Sequence, residues 1–165
     1  MSALTTITSH KDVDNLTMTF VAEFPAPAAR LWQVWQDPRQ LERWWGPPTW
    51  PATFDRHDFA VGGESRYYMT GPDGTKAHGW WRITALDEPR RLEFEDGFGD
   101  QHGEPTDKLG ITQVAVTFED TGAGTRMTTV SHFTDAEHLE RLAKMGMEEG
   151  MRLAMGQIDE ILGTA

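Results

Sequence analysis

The strongest constraint on the fold is one apolar stripe along the C-terminal part of the sequence. Its members recur at spacings of three and four: Leu139, Leu142, Gly146, Met147, Gly150, Met151, Ala154, Ile158 and Ile161. That spacing is typical of an amphipathic helix. Thr134 and Glu137 have capping-box spacing, so we predict a helix from there to Leu162, roughly 42 Å long. A helix of this length needs a large apolar surface to pack on, which the rest of the chain must supply.

The middle of the chain predicts that surface to be an antiparallel sheet. Apolar and polar residues alternate between turns rich in Gly, Pro and Asp, which is typical of strands joined by tight connections. The predicted strands cover residues 53–59, 64–70, 76–86, 91–96, 114–118 and 125–133, with a loop at 97–110. Strands joined by short turns pair antiparallel.

An earlier strand and two short helices complete the predicted element order. Residues 16–24 alternate with a period of two, and Pro27 suits the first position of a helix. Asp37 can cap a second short helix that begins at Pro38. We therefore predict an α+β fold in which a curved antiparallel sheet wraps around a long C-terminal helix. Residues 1–15 are predicted to be a flexible lead-in and residues 16–165 a single domain.

Composition narrows the classes of partner. The chain has 15 basic and 26 acidic residues, a net charge of −11, which disfavours binding to nucleic acid or to anionic membranes. It has no cysteine, no apolar stretch of membrane-spanning length and no signal-peptide core at its N-terminus. We therefore expect a cytoplasmic protein. Seven Trp and eight Met suit the wall of a cavity, although they suit an ordinary core as well.

A series of short motifs in order resembles one protein family. The motifs are Phe24-Pro25-Ala26-Pro27, Leu31-Trp32, Asp37-Pro38, Trp44-Trp45-Gly46-Pro47, Gly62-Gly63, residues 69–74, Glu88-Pro89-Arg90-Arg91-Leu92, Gly124-Thr125-Arg126 and residues 145–150. Together they resemble the Hsp90-ATPase-activator-homologue-1-like branch of the START/Bet v 1-like (SRPBCC) superfamily, over about residues 16–162. The resemblance implies a helix-grip fold with a cavity for lipids, polyketides or other apolar molecules. Met151 stands where this branch often has tryptophan, which predicts a wider cavity.

Eight residues are predicted to line that cavity. They are Trp44, Trp45, Tyr67, Met69, Trp81, Phe94, Met147 and Met151. Plain core packing is the alternative interpretation for each of them. Adjacent strand residues point to opposite faces, and parity alone does not decide which member of Tyr67-Tyr68 or Trp80-Trp81 faces inward. The outward aromatic would cover the sheet or be consistent with a homodimer.

The sequence offers only isolated candidates for catalysis. His78 and His132 lie in predicted strands, and with Asp58, Glu93 or Asp96 nearby either could act as a general acid–base. An inward Arg66 could bind a carboxylate or polarise a carbonyl. Each has a structural alternative as an ordinary strand residue. No metal-ligand spacing, phosphate loop or dinucleotide fingerprint occurs, so neither a metal nor a cofactor is predicted.

Three hypotheses for function follow. The first is binding of a small apolar molecule between sheet and helix. The second is an enzyme of the cyclase or dehydratase type that uses the same cavity. The third is a protein-interaction domain that acts on a chaperone or forms a homodimer. An inward-facing His–carboxylate or Arg cluster would favour the second. A cavity filled by Trp and Met side chains, with a flat apolar outer patch, would favour the third.

Overall fold

A computed structural model describes residues 5–163 of the chain. The strands are β1 Ile7–Asp12, β2 Thr17–Phe24, β3 Ala52–His57, β4 Glu64–Thr70, β5 Lys76–Asp87, β6 Arg91–Gly99, β7 Pro105–Thr106, β8 Thr112–Asp120 and β9 Thr125–His132. The helices are α1 Ala28–Gln36, α2 Pro38–Trp44, α3 Ala136–Lys144, α4 Met147–Gly156 and α5 Ile158–Gly163. None of these helices combines the length and apolarity needed to cross a bilayer.

The strands form one antiparallel sheet in the order β1-β2-β9-β8-β6-β5-β4-β3, with β7 paired to β6. Register shifts interrupt the ladder between Phe54 and Arg56 on β3 and between Ile83 and Ala85 on β5. Such bulges bend a strand and increase its twist. The predicted α+β architecture, a curved antiparallel sheet with two short helices and a helical C-terminal segment, is confirmed.

The concave face of the sheet carries the core. On β2, for example, buried residues alternate with exposed or half-buried ones, and Met18, Phe20, Ala22 and Phe24 face inward. Helix α1 packs on this core through four buried apolar residues, Leu31, Trp32, Val34 and Trp35. Helix α2 begins as predicted, because the Asp37 side chain accepts from the backbone N–H of Arg39 and Pro38 takes the first position.

A half-buried histidine, His57, joins α1 to the sheet. His57 Nε2 lies 2.9 Å from the carbonyl oxygen of Trp35, and Nδ1 lies 2.7 Å from the hydroxyl of Ser65. Since a carbonyl can only accept, Nε2 carries the proton and Nδ1 accepts from the serine. Burial lowers the pKa of His57, which keeps the ring neutral.

The predicted loose lead-in is wrong for residues 7–12, which form edge strand β1. This strand pairs with β2 along its whole length. Only Ile7 of this strand is buried, so the sequence shows no alternation of apolar and polar residues that would predict the strand. It is held by the backbone ladder and by contacts to the helices, including a 2.6 Å hydrogen bond from Ser9 to Glu148. Residues 1–4 lie outside the described part of the chain.

The C-terminal helical segment is divided into α3, α4 and α5. Its start differs from the prediction, because Asp135 rather than Thr134 caps α3 by accepting from the backbone N–H of His138 over 2.8 Å. Gly146 adopts a left-handed conformation with φ of 86° and ends α3. A glycine in this conformation is a common helix terminator. The break redirects the chain where it passes over the open end of the sheet.

Candidate functional site

A pocket of about 410 Å³ lies between the sheet and the α3–α4 junction. Most of its lining residues are apolar. They are Trp45, Pro47, Trp50, Tyr67, Met69, Ala77, Asp96, Gly97, Phe98, Thr112, Leu142, Met145, Gly146, Met147, Gly150, Met151 and Ala154. The only titratable side chains in this set are Tyr67 and Asp96. Among residues 5–163 no Lys, Arg or His lines the pocket, so within this part of the chain its acidic group has no basic partner.

Tyr67 and Asp96 are joined across one intervening strand. The Tyr67 hydroxyl on β4 donates to Oδ1 of Asp96 on β6 over 3.0 Å. Between them on β5 lies Gly79, which pairs with Tyr67 in the β4–β5 register. A Cβ at position 79 would collide with the tyrosine ring. The ring can therefore lie flat over β5 and reach the next strand because residue 79 has no side chain.

Burial gives Asp96 an unusual proton affinity. Asp96 continues the inward alternation of Leu92 and Phe94 on β6, so its carboxyl faces the pocket. Desolvation raises the pKa of Asp96 to about 7, although the hydrogen bond from Tyr67 acts in the opposite direction. Desolvation, and then the nearby Asp96, hold the pKa of Tyr67 well above its ordinary value. Tyr67 is thus a stable donor, and Asp96 can hold or release a proton near neutral pH.

Trp45 forms the wall beside this pair. Its ring packs edge-on against Tyr67, with centroids 6.1 Å apart, and against Trp81 at 4.8 Å. The indole N–H of Trp45 is buried and lacks a hydrogen bond of ordinary geometry, but it lies near enough to the Tyr67 oxygen to oppose the rise in the pKa of that phenol. The Trp45 indole therefore belongs to the same polar end of the pocket as Tyr67 and Asp96.

The helical side of the pocket is built from methionines and glycines at the α3–α4 junction. Met145, Met147 and Met151 line it, and Met145 at the rim is 58% exposed. A Cβ at Gly146 or Gly150 would meet no atom within 4 Å. These glycines therefore leave volume open rather than admit a close strand. Flexible thioethers beside open volume can adapt to different shapes.

The bend after α2 is tied to the C-terminal helices. Gln157, between α4 and α5, donates to the carbonyl oxygen of Gly46 over 2.7 Å. Trp50 follows this bend, and its ring lies against Gly71, where a side chain would collide with it. These contacts hold Trp45, Pro47 and Trp50 opposite the methionines.

Five of the eight predicted lining residues lie at the pocket, and three do not. Those at the pocket are Trp45, Tyr67, Met69, Met147 and Met151. Trp44 instead lies in the core, where its indole N–H donates to the carbonyl oxygen of Val34 over 2.9 Å. Trp81 and Phe94 face inward, but they stack on each other at 4.2 Å and lie fully buried behind Trp45.

The three catalytic candidates lie on the outer face of the sheet. His132 is exposed, and His78 packs against the ring of Tyr68 at 5.9 Å. Arg66 pairs with Glu64 at 3.2 Å. Because their strand neighbours of opposite parity face the core, none of the three reaches the pocket.

The outward aromatics are satisfied within the chain. Trp80 covers Gly97 on the outer face, and its indole N–H donates to the carbonyl oxygen of Phe98 over 3.1 Å. Lys76 lies 4.4 Å from the ring centroid of Tyr68. Neither aromatic needs a partner chain to cover it. The homodimer stays a prediction.

Sequence reasoning missed the polar end of the pocket. The sequence predicts Asp96 only as a carboxylate near a histidine, because residue 96 is the last residue of a predicted strand. The available signal was parity, since Asp96 occupies the same face as Leu92 and Phe94. Trp50 and Phe98 were missed because one follows a proline-rich bend and the other lies in the segment predicted as a loop.

Comparison with known proteins agrees with this architecture. No curated protein matches the chain. The solution NMR structure of a protein from Arthrobacter aurescens is 56% identical, with a TM-score of 0.91, covering 96% of this chain and 92% of that one. The crystal structure of protein Ms6760 from Mycobacterium smegmatis is 46% identical, with a TM-score of 0.87, covering 96% of both chains.

More distant structures share the fold alone. A Rhodobacter sphaeroides protein is 22% identical, with a TM-score of 0.84, covering 97% of this chain and all of that one. The model of the family described as Activator of Hsp90 ATPase homolog 1-like protein matches residues 25–163. Because that match spans most of the sequence, the chain belongs to the family of Activator of Hsp90 ATPase homolog 1-like proteins, a branch of the SRPBCC/Bet v 1-like superfamily.

Proposed function

We propose that this protein binds a small, largely apolar molecule in the pocket between its sheet and the α3–α4 junction. The observation that carries the proposal is the open volume of about 410 Å³ beneath glycines and methionines. Ligand pockets usually measure roughly 300–1,000 Å³ and combine apolar walls with a few polar groups. The lining has this composition, with Tyr67 and Asp96 as its titratable groups.

Apolar burial would drive the binding. A ligand that buries about 200 Å² of apolar surface gains roughly 5 kcal/mol, which would correspond to a Kd of about 0.2 mM, and ordering costs make the binding weaker than this. Polar contacts at Asp96 and Trp45 would add orientation. A screen must therefore detect weak binding.

The test is native mass spectrometry of the purified protein, followed by a thermal-shift screen. The compounds are fatty acids, polyketide-type aromatics, and neutral or basic aromatic compounds. A co-purified mass or a saturable rise in Tm supports binding, because a ligand that prefers the native state stabilises it. An apo mass with no rise from any compound contradicts it.

The matched control is Met151→Trp beside Leu153→Trp. Met151 lines the pocket, whereas Leu153 on the same helix is 48% exposed and does not line it. A compound that binds the pocket loses its Tm shift in the first variant and keeps it in the second. A shift that survives in both variants arises elsewhere.

A second candidate function, proton transfer, is favoured by the position of Asp96. A carboxyl with a pKa of about 7 can accept or donate a proton near neutral pH, as a general acid–base must. In its ionised form Asp96 would take a proton from carbon next to a ligand carbonyl, leaving an enolate, and would return it to the same carbon. The first half of this exchange, removal of the proton next to a carbonyl, is the step that cyclase- and dehydratase-type reactions share.

Hydrogen–deuterium exchange tests this second candidate. β-Tetralone is incubated in D₂O with the protein, and loss of its C1 proton signal is followed by NMR. Two results together support proton transfer. Exchange is faster with the unmodified protein than with Asp96→Asn, and it is equally fast with the exposed Asp14→Asn control. Equal rates with all three proteins reject it for this substrate class.

The interaction-domain hypothesis has less support. It requires a flat apolar patch, and five large apolar residues of the described chain are exposed. They are Val13, Val61, Leu109, Met145 and Leu153. A dimer mass in the native spectrum would support an interface, and a monomer mass would oppose self-association.

A further inference from the structure

The hydrogen bonding of Tyr67 and Asp96, at the polar end of the pocket, indicates which class of ligand the pocket takes. Tyr67 donates its only hydroxyl proton to Oδ1 of Asp96. Among residues 5–163 no other side chain or backbone group hydrogen-bonds this carboxyl, so Oδ2 is left without a protein partner. Asp96 is half-buried and lines the pocket, so this acceptor is open to a hydrogen-bond donor of a ligand.

Among the described residues that line the pocket, none places a positive charge near Asp96. Its neighbour on β5 is Trp81 and its neighbour on β8 is Thr112. The side chains that face the pocket from α3 and α4 are apolar, and Tyr67 is the other titratable lining residue. A carboxylate, sulfate or phosphate placed here would meet an acidic group and no cation. A buried anion without a cationic partner is strongly disfavoured.

From this arrangement we propose that the Tyr67–Asp96 pair is the head-group site of the pocket, that it takes ligands ending in a hydroxyl or an amine, and that it excludes anionic ligands such as free fatty acids. The head group donates to Asp96 Oδ2 while the apolar body lies against the methionines. This proposal rests on the proposed function and specifies its ligand class.

Three naphthalene compounds that differ only in the head group test it. They are 2-naphthylmethanol, 2-naphthylmethylamine and 2-naphthoate, each titrated into ¹⁵N-labelled protein at pH 8 and followed by chemical-shift changes at pocket residues. We expect saturable binding of the alcohol and the amine, and at least tenfold weaker binding of the carboxylate. Asp96→Asn should strengthen carboxylate binding and weaken amine binding, each at least fivefold. Asp14→Asn should keep the wild-type order.

A measurement on the unmodified protein covers the case in which Asp96→Asn does not fold. Between pH 6 and pH 8 Asp96 loses its proton, so amine affinity should rise and carboxylate affinity should fall, while alcohol affinity changes least. Equal affinities of the three compounds, with no dependence on pH, would overturn the head-group site and leave the proposed function standing. No shift at pocket residues with any of the three would contradict both.

Discussion

The hydroxyl of Tyr67 donates to Oδ1 of Asp96 over 3.0 Å, across the whole width of the strand that separates β4 from β6. The bond joins two side chains 29 positions apart at the one acidic point of an apolar pocket. It stabilises the ionised form of the carboxyl, whereas burial stabilises the neutral form, and burial has the larger effect. The protonation state of Asp96 therefore depends on how strongly the pocket shields its carboxyl from water.

Replacing Tyr67 by Phe should raise the pKa of Asp96 above its value of about 7. The hydrogen bond from Tyr67 lowers that pKa, so its loss leaves desolvation unopposed. We also expect a loss of about 1 kcal/mol in the free energy of unfolding, typical of one hydrogen bond. The measurement is a ¹³C NMR titration of the Asp96 side-chain carboxyl. Tyr68→Phe is the matched control, since Tyr68 lies on the outer face and should leave the titration unchanged.

Replacing Gly79 by Ala should break the hydrogen bond between Tyr67 and Asp96 indirectly, by moving the Tyr67 ring. The new methyl group would collide with the Tyr67 ring and displace it from β5. Forcing an extra carbon into a packed site costs about 1–3 kcal/mol, measured by urea unfolding. The pKa of Asp96 should rise as in Tyr67→Phe.

Gly150→Ala is the contrasting control for that experiment. A Cβ at Gly150 meets open space inside helix α4, so we expect stabilisation by about 0.5–1 kcal/mol. If Gly79→Ala were neutral and kept the Asp96 titration of the native protein, the role assigned to Gly79 would be wrong.

The element order and most of the core could be predicted from the sequence because they depend on periodicity. Alternation along β2 and β8 and the stripe along α3–α5 each place apolar residues on one face, and the inward sets follow. The strand at residues 64–70 was predicted with its observed bounds. Edge strand β1 was not predicted. It is stabilised by backbone pairing and by polar contacts to the helices, which leave no periodic apolar pattern in the sequence.

The pocket could be predicted only in part, because its shape depends on where chains bend. The helical stripe reads continuously through Gly146, yet the left-handed conformation of this residue splits the helix and brings Met145 and Met147 to the pocket. Trp44 and Trp45 are adjacent and alike in chemistry, and only the three-dimensional packing separates the core residue from the lining residue. Single-sequence patterns do not contain that distinction.

Filling the pocket should abolish ligand binding without unfolding the protein. Met151→Trp adds an indole on the pocket side of α4, and any pocket ligand should bind at least tenfold more weakly. Met151 is only partly buried, so the variant should retain its free energy of unfolding to within about 1 kcal/mol. Isothermal titration calorimetry measures the affinity and urea unfolding measures the stability. Unchanged affinity for every ligand would remove this pocket as the binding site.

The stability of the protein should carry a pH-dependent contribution from Asp96, with a sign opposite to that of a salt-bridged carboxylate. In the unfolded chain Asp96 releases its proton near pH 4, whereas in the folded protein it does so near pH 7. Between these values the folded state binds the extra proton, so this contribution to the free energy of unfolding falls as pH rises, by up to about 1.4 kcal/mol per pH unit. Above about pH 7 the contribution is constant.

Asp96→Asn removes this contribution and isolates it from the other carboxylates, which are common to both proteins. The measurement is the difference in urea unfolding free energy between Asp96→Asn and the unmodified protein from pH 4.5 to pH 8. The difference should grow in favour of the Asn variant as pH rises and should level off above about pH 7, since an amide carries no charge to desolvate. Asp14→Asn, on an exposed turn, should show a flat difference over the same range. A flat difference for Asp96→Asn as well would mean that the carboxyl titrates alike in the folded and unfolded chain, and the account of a desolvated acid at the end of the pocket would fail.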